Sequence, residues 1–133
     1  MGMEEFIIPY PPTAAGKKAW SKFYGLNAYY AGKSWPMRKR DADFWHTLVA
    51  AEMERQKVRK RPFEKPVIIT MFFNDRLDCS NHAMYFKLIE DSIKGRIIQD
   101  DSRRFVKGCE MYFSEDDYIR VIVREAGKNE ISL

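Results

Sequence analysis

The sequence predicts a single α+β domain, residues 1–133, in which two helices pack on a mixed sheet of four to five strands. Three observations predict it. Stretches of strand character alternate with stretches of helical periodicity, in the order strand, helix, strand, helix, hairpin. The run Val67–Phe73 is β-branched and aromatic, of strand length, and apolar enough to be buried on both faces. The chain has 133 residues, 45% of them hydrophobic and 14% aromatic, which suffices for one core, leaves little room for a second, and excludes disorder as the default state.

The elements follow in order. Glu5–Pro9 reads as a first strand, closed by Tyr10-Pro11-Pro12, because proline fixes φ and offers no N–H to a ladder. Residues 13–40 lack periodicity, contain Gly16, Gly25, Gly32 and Pro36, and read as a long loop in which aromatics alternate with Lys and Arg. Asp41 to about Val58 reads as a helix, with Asp41 and Asp43 at its positive end, Trp45, Leu48 and Val49 as its apolar stripe, and Arg55 and Lys57 at its negative end. Lys65–Phe73 is a strand, and Asn74–Ser80 a loop. Asn81–Lys94 is a second helix, with Ser80 or Asn81 as N-cap and Gly95 as its stop. Phe105–Ser114 and Tyr118–Glu125 form two strands joined by Glu115-Asp116-Asp117, an expected antiparallel hairpin, with Ile119, Val121 and Val123 on one face. The tail from Ala126 is polar and expected to fray.

Composition narrows the function. Cys79 and Cys109 are the two cysteines, too few for a disulfide framework. Cys79 and His82 have C-x-x-H spacing, but the recognisable set of four ligands that a structural zinc needs is missing. Glu4 and Glu5 precede a hydrophobic run too short for a secretory signal, and Val67–Phe73, the longest apolar run, is too short to span a bilayer. The expected setting is the reducing cytoplasm, with no membrane partner. Net charge is +4 with a pI near 9.1, and the cations cluster: Lys33, Arg38, Lys39 and Arg40 in one block, Arg55, Lys57, Arg59, Lys60, Arg61 and Lys65 in another. Such blocks suit a phosphate backbone, with exposed rings of the aromatic segment 13–40 available to unstacked bases. The same aromatics also suit a core or a dimer contact, and the second block also suits an ordinary solvated helix end.

The chemistry-bearing constellation is Asp78-Cys79-Ser80-Asn81-His82, then Lys87, Asp91, Gly95 and Asp100-Asp101. Carboxylates gathered near helix ends are the usual means of holding Mg²⁺, which prefers oxygen ligands and keeps several waters. Beside a basic surface, such a metal implies phosphodiester hydrolysis. Each element also has a plainer reading. Lys87 and Asp91 form an i,i+4 surface pair, and Asp100-Asp101-Ser102 is ordinary turn composition. Asp116-Asp117, in the expected hairpin tip, is read as turn chemistry.

With these residues in hand, the chain resembles the RusA family of Holliday junction resolvases, small endonucleases common in prophages. The resemblance runs over most of the chain: the opening strand with Ile8-Pro9-Tyr10-Pro11-Pro12-Thr13, then Leu26-Asn27, then the order Asp78, Asn81, Lys87, Asp91, Gly95, Asp100, Asp101. Ser80 stands where the family motif usually carries a second aspartate, and more residues separate Asn81 from Lys87 than in the best-known member. The resemblance implies a RusA-like fold and a homodimer that binds four-way DNA junctions and nicks two strands symmetrically in recombination and repair. Two active sites related by a two-fold axis suit paired incisions. It further implies Mg²⁺, with Mn²⁺ as a substitute. Asp78 and Asp101 would be metal ligands, with Asp100 and Asp91 auxiliary to them, and Lys87 would neutralise charge on the phosphate. Asn81 would cap the helix and fix the loop that carries Asp78. Arg38, Lys39, Arg40, Lys60, Arg61, Arg103 and Arg104 are the expected phosphate contacts. The alternative is a non-catalytic relative that binds branched DNA through a degenerate metal site, with Ser80 recording the loss. A weaker third reading is a basic adaptor that binds another protein.

Overall fold

The computed structural model describes residues 2–127, in the order β1 (Met3–Pro9), α1 (Ala14–Tyr24), α2 (Leu26–Tyr30), α3 (Trp35–Arg55), β2 (Val67–Phe73), a 3₁₀ turn (Cys79–His82), α4 (Ala83–Ser92), β3 (Val106–Phe113) and β4 (Tyr118–Glu125). The strands form one mixed sheet in the order β1-β4-β2-β3. Central β2 is parallel to β3 and antiparallel to β4, and β1 is antiparallel to β4. The α+β class and the mixed sheet are as the sequence predicts, with four strands and four helices.

The core follows strand alternation. Val67, Ile69, Met71 and Phe73 of β2 and Ile119, Val121 and Val123 of β4 are at most 1% exposed, and with Phe6 and Ile8 they face the helices. Trp45, Val49 and Met53 of α3 and Tyr85, Phe86, Leu88 and Ile89 of α4 complete that layer. Each such side chain, fully buried, contributes about 1.5–3 kcal/mol, so α4 is anchored along its apolar stripe while its other stripe is left to polar residues.

Three expectations need correction. Residues 13–40 are not a loop. Thr13 accepts from the Gly16 N–H and starts α1, Gly25 separates α1 from α2, and Ser34 caps α3, with Pro36 in the first turn where its missing N–H costs nothing. The glycines and proline that argued for a loop are its helix boundaries. Accordingly α3 begins six residues before Asp41, and it closes in a Schellman motif made without glycine, with Lys57 at φ +56°, the Val58 N–H donating to the Met53 carbonyl at 2.9 Å and the Lys57 N–H to the Glu54 carbonyl at 3.2 Å.

The expected β3–β4 hairpin is also absent, because β2 lies between those strands. Val67–Phe73 is apolar on both faces, so it occupies the centre and leaves β3 as an edge. Finally, neither Ser80 nor Asn81 caps α4. Both lie inside the 3₁₀ turn, whose N-cap is Asp78, with Asn81 N–H donating to the Asp78 carbonyl at 2.9 Å. The tail beyond Gly127 lies outside the described residues.

Candidate metal and phosphate site

The structure gathers charge along the polar stripe of α4. Lys87 and Asp91 are four apart on α4, Lys94 stands just past its end on the same side of the cluster, and Leu88 and Ile89 hold the opposite stripe in the core. After α4 the chain turns at Gly95, whose φ of +81° is a left-handed conformation that glycine adopts without strain, and the Gly95 N–H donates to the Ile98 carbonyl at 2.7 Å. That reversal returns Asp101 to the helix. Lys87 Nζ donates to Asp101 Oδ2 and lies 3.3 Å from Asp91 Oδ1 and 3.5 Å from Glu90 Oε1. Lys94 Nζ lies 3.2 Å from Asp91 and 3.4 Å from Asp101.

Carboxylate oxygens of Glu90, Asp91 and Asp101 all lie within 4.8 Å of one another. Oxygens on opposite sides of an octahedral Mg²⁺ stand about 4.2 Å apart, twice its bond length, so this spacing needs only a small contraction to hold one ion. The donor set is all oxygen, which suits Mg²⁺ or Mn²⁺ rather than a thiolate-preferring metal.

The electrostatics divide the three acids. The Lys87 hydrogen bond first, and then the charges of Lys87 and Lys94, hold the Asp101 carboxyl down at about 2 against the opposing desolvation. Burial pushes Glu90 up, with Lys87 opposing it and the charges of Asp101 and Asp91 adding to the rise. Desolvation pulls the Lys87 ammonium down, but the Asp101 hydrogen bond and Asp91 outweigh it and the net direction is up. Glu90 is 6% exposed, and its influence reaches β3, where burial first and then the Glu90 charge raise the Cys109 thiol to about 11. Three carboxylates facing two ammonium groups form a dense cluster with a surplus negative charge.

Of the residues expected at the site, Asp91, Asp101 and Lys87 meet here. Asp78 and Asp100 are exposed and stand outside the three-carboxylate group. For Asp78 the reason is topological: it precedes the 3₁₀ turn at the start of α4, whereas Asp101 follows the turn at the helix's other end. Ser80 is exposed beside it. Glu90 and Lys94 were not among the expected residues. Helical spacing was the available signal, since both lie three residues from a member of the Lys87–Asp91 pair. Asp116 and Asp117 lie in the β3–β4 connection, where Asp117 is 3.9 Å from Lys17 and the Asp116 carbonyl accepts from Asn74, in keeping with a structural role.

The start of α4 holds a different polar pair. His82 is fully buried, its Nε2 2.7 Å from Asp75 Oδ1 and its Nδ1 3.0 Å from the Cys79 carbonyl, with its ring stacked on Phe73 at 4.2 Å. Asp75 Oδ1 also accepts from the Leu77 N–H at 2.9 Å. The Cys79 thiol donates to the Met111 carbonyl, so Cys79 and His82 point to different partners and form no zinc pair.

The basic candidates separate by their partners. Lys39 pairs with Asp43 at 3.0 Å, Lys60 with Glu54 at 3.4 Å and Arg61 with Glu64 at 3.6 Å. Lys33, expected in the same block, is a structural cation: its side chain is 6% exposed, and its ammonium is 2.5 Å from Asp41 and 4.8–5.3 Å from the Tyr29 and Tyr24 rings. Among the described residues, no carboxylate lies within ion-pair distance of Arg38, Arg40, Arg103 or Arg104, and all four are exposed. Arg103 and Arg104 directly follow the Asp100-Asp101-Ser102 turn. No helix among the described residues is long and apolar enough to cross a membrane. No family model matches the chain, and no curated protein matches it.

Proposed function

We propose that this chain is a metal-dependent endonuclease acting on branched DNA, resembling RusA-type resolvases, that cuts four-way junctions as a homodimer. The observation that carries the reading is the meeting of Asp101, Asp91 and Glu90 with Lys87, a few residues along the chain from the exposed Arg103 and Arg104. Carboxylates set for a divalent ion, next to cations set for phosphate, are the two halves of a phosphodiesterase site. In this reading Glu90, Asp91 and Asp101 hold the ion. A bound Mg²⁺ supplies the acidity that makes water a nucleophile and the charge that steadies the leaving oxygen. Lys87 then exchanges its carboxylate partners for a phosphate oxygen and offsets negative charge as it builds. Arg103 and Arg104 hold the flanking backbone. Asp78, an exposed carboxylate at the other end of α4, is the residue the family resemblance adds to this set.

A second reading, a non-catalytic relative that binds branched DNA, is favoured by one observation. Lys87 and Lys94 already face the carboxylates that an ion would need. Incubating the purified chain with a synthetic four-way junction, with and without Mg²⁺, tests both. The nuclease reading expects paired symmetric nicks that require the metal and disappear in Asp101→Asn. If neither Mg²⁺ nor Mn²⁺ gives any nick while junction binding persists, the binding-only reading replaces it. Binding of either kind should weaken steeply with salt, because neutralised phosphates release counterions.

A further inference from the structure

Between Phe6 and Arg40 the sequence holds seven Lys and Arg and no carboxylate. Five of the eight large hydrophobic side chains exposed on the described residues fall at the end of this stretch and just past it: Phe23, Tyr30, Trp35, Met37 and Phe44. The fold sorts the aromatics of this segment sharply. Trp20 and Tyr24 pack against buried Trp45, with ring centroids 4.9 and 5.3 Å from it, and Tyr29 donates to Asp41. Tyr30 and Trp35 instead remain 80% and 67% exposed, with no ring contact and no side-chain hydrogen bond among the described residues.

Helix stability does not account for this surface. The first two turns of α3 carry Arg38, Lys39 and Arg40, and cations near a helix N-terminus oppose its dipole. Nor does packing, since Trp35, which opens α3, is 67% exposed and makes no ring contact among the described residues. Positive charge together with unengaged rings fits one ligand chemistry: a polyanion that also presents flat faces. Single-stranded nucleic acid has both, whereas a paired duplex shows phosphate but keeps its base faces stacked inside.

We propose that Tyr30 and Trp35, flanked by the unpaired Arg38 and Arg40, form a stacking platform for unpaired bases of DNA. The proposal rests on and deepens the branched-DNA reading, since opening a branch point frees base faces that a plain duplex keeps stacked, yet its test needs neither metal nor cleavage. Trp45 is fully buried and Trp20 partly so, which leaves Trp35 as the fluorophore most open to a stacked base.

The full chain in EDTA is titrated with a 20-nucleotide oligothymidylate and with an abasic strand of equal length, following tryptophan emission in the wild type and, for the wild type and every variant, the anisotropy of a fluorescein label on the strand. The thymidylate should quench emission and bind more tightly than the abasic strand. Trp35→Ala and Tyr30→Ala should each lose on the order of tenfold in affinity for the thymidylate, Trp35→Phe should retain most of it, and affinity for blunt duplex should hardly change. Both alanine variants remove exposed side chains, so an unchanged melting temperature confirms that folding is intact. Equal affinity for the two strands overturns the proposal. So does a Trp35→Ala variant that binds thymidylate normally but no longer self-associates in sedimentation, which would assign the patch to a contact between copies. Absence of nicking in the junction assay bears only on the nuclease reading.

Discussion

At the start of α4, Asp75 and His82 are closed off from water, with side chains 2% and 0% exposed, and the ring is held by Phe73. At the other end, Lys87 and Asp91 are 49% and 34% exposed and share their charges with Lys94 and Asp101. Both ends pair carboxylates with basic side chains, but the surroundings give them different work. In the dry end every partner is fixed by packing, so exchanging one leaves a buried polar group unmatched. In the wet end Lys87, Asp91, Lys94 and Asp101 are each partly solvated and have more than one partner, so their partners can be exchanged at little cost, while Glu90, nearly buried, faces Lys87. A site that must accept a metal and a phosphate belongs at the exchangeable end.

The sharpest way to break this contrast is to remove one partner at each end. His82→Ala deletes a stacked ring and strands the Asp75 carboxylate, and should cost about 3–5 kcal/mol in urea unfolding. Asp101→Asn should cost less than about 1 kcal/mol, because its pairs are solvent-screened. If the two variants lose similar stability, the distinction between the ends is wrong.

The second test reverses the ranking. In the proposed reaction Asp101→Asn should lower Mg²⁺-dependent nicking at least about 100-fold, through lost metal affinity and weaker placement of Lys87. Asp78→Asn, measured in the same junction assay, separates the carboxylate set seen at Lys87 from the one implied by resemblance. A variant as inactive as Asp101→Asn would bring Asp78 into the reaction; full activity would confine it to the loop.

What could be read from sequence follows the range of the forces involved. The strand Tyr118–Glu125 was legible to the residue, since alternation of Ile119, Val121 and Val123 is a local signal of burial on one face. The Lys87–Asp91 pair was legible for the same reason, being set by helical spacing, whereas the helix ends at Ser92 with Ile93 as its cap, and Gly95 serves the left-handed turn beyond it rather than the stop. The partner of β4 was not. Hairpin chemistry at Glu115-Asp116-Asp117 is local, whereas the insertion of β2 between β3 and β4 is decided by burying both faces of Val67–Phe73. Residues 13–40 were misread because glycine and proline mark helix boundaries as readily as loops. Asp75 passed unnoticed because its partner is set by packing, although His82 lies only seven residues away.

A smaller effect is expected at the turn that joins the site to its helix. Gly95→Ala places a side chain at φ +81° with no heavy atom within 4 Å of the new Cβ, so its cost is conformational rather than steric, about 1–2 kcal/mol. The same strain should draw Asp101 away from Lys87. Melting temperature and Mg²⁺-dependent nicking should therefore fall together. Lost stability with normal nicking would show that the turn does not position the carboxylate.

The smallest expected effect is a pH dependence confined to the wet end. The Asp101 carboxyl is held at about 2, below its ordinary 3.8, first by the Lys87 hydrogen bond. A depressed carboxyl contributes stability while it is ionised, so the contribution is complete above about 3.8 and drains away as pH falls through about 2. Lys87 is half exposed, which screens the pair and limits the effect to under about 1 kcal/mol. Lys87→Met should therefore narrow its stability gap to the wild type as the solution is acidified from pH 5 to pH 2 in urea titrations, roughly the window of an exposed carboxylate pair. The dry end supplies the control, since Asp75→Asn leaves Lys87 and Asp101 in place and should keep this part of the pH slope. Equal slopes for wild type and Lys87→Met would mean that Asp101 draws its stabilisation from another source, with Lys94 at 3.4 Å the first candidate.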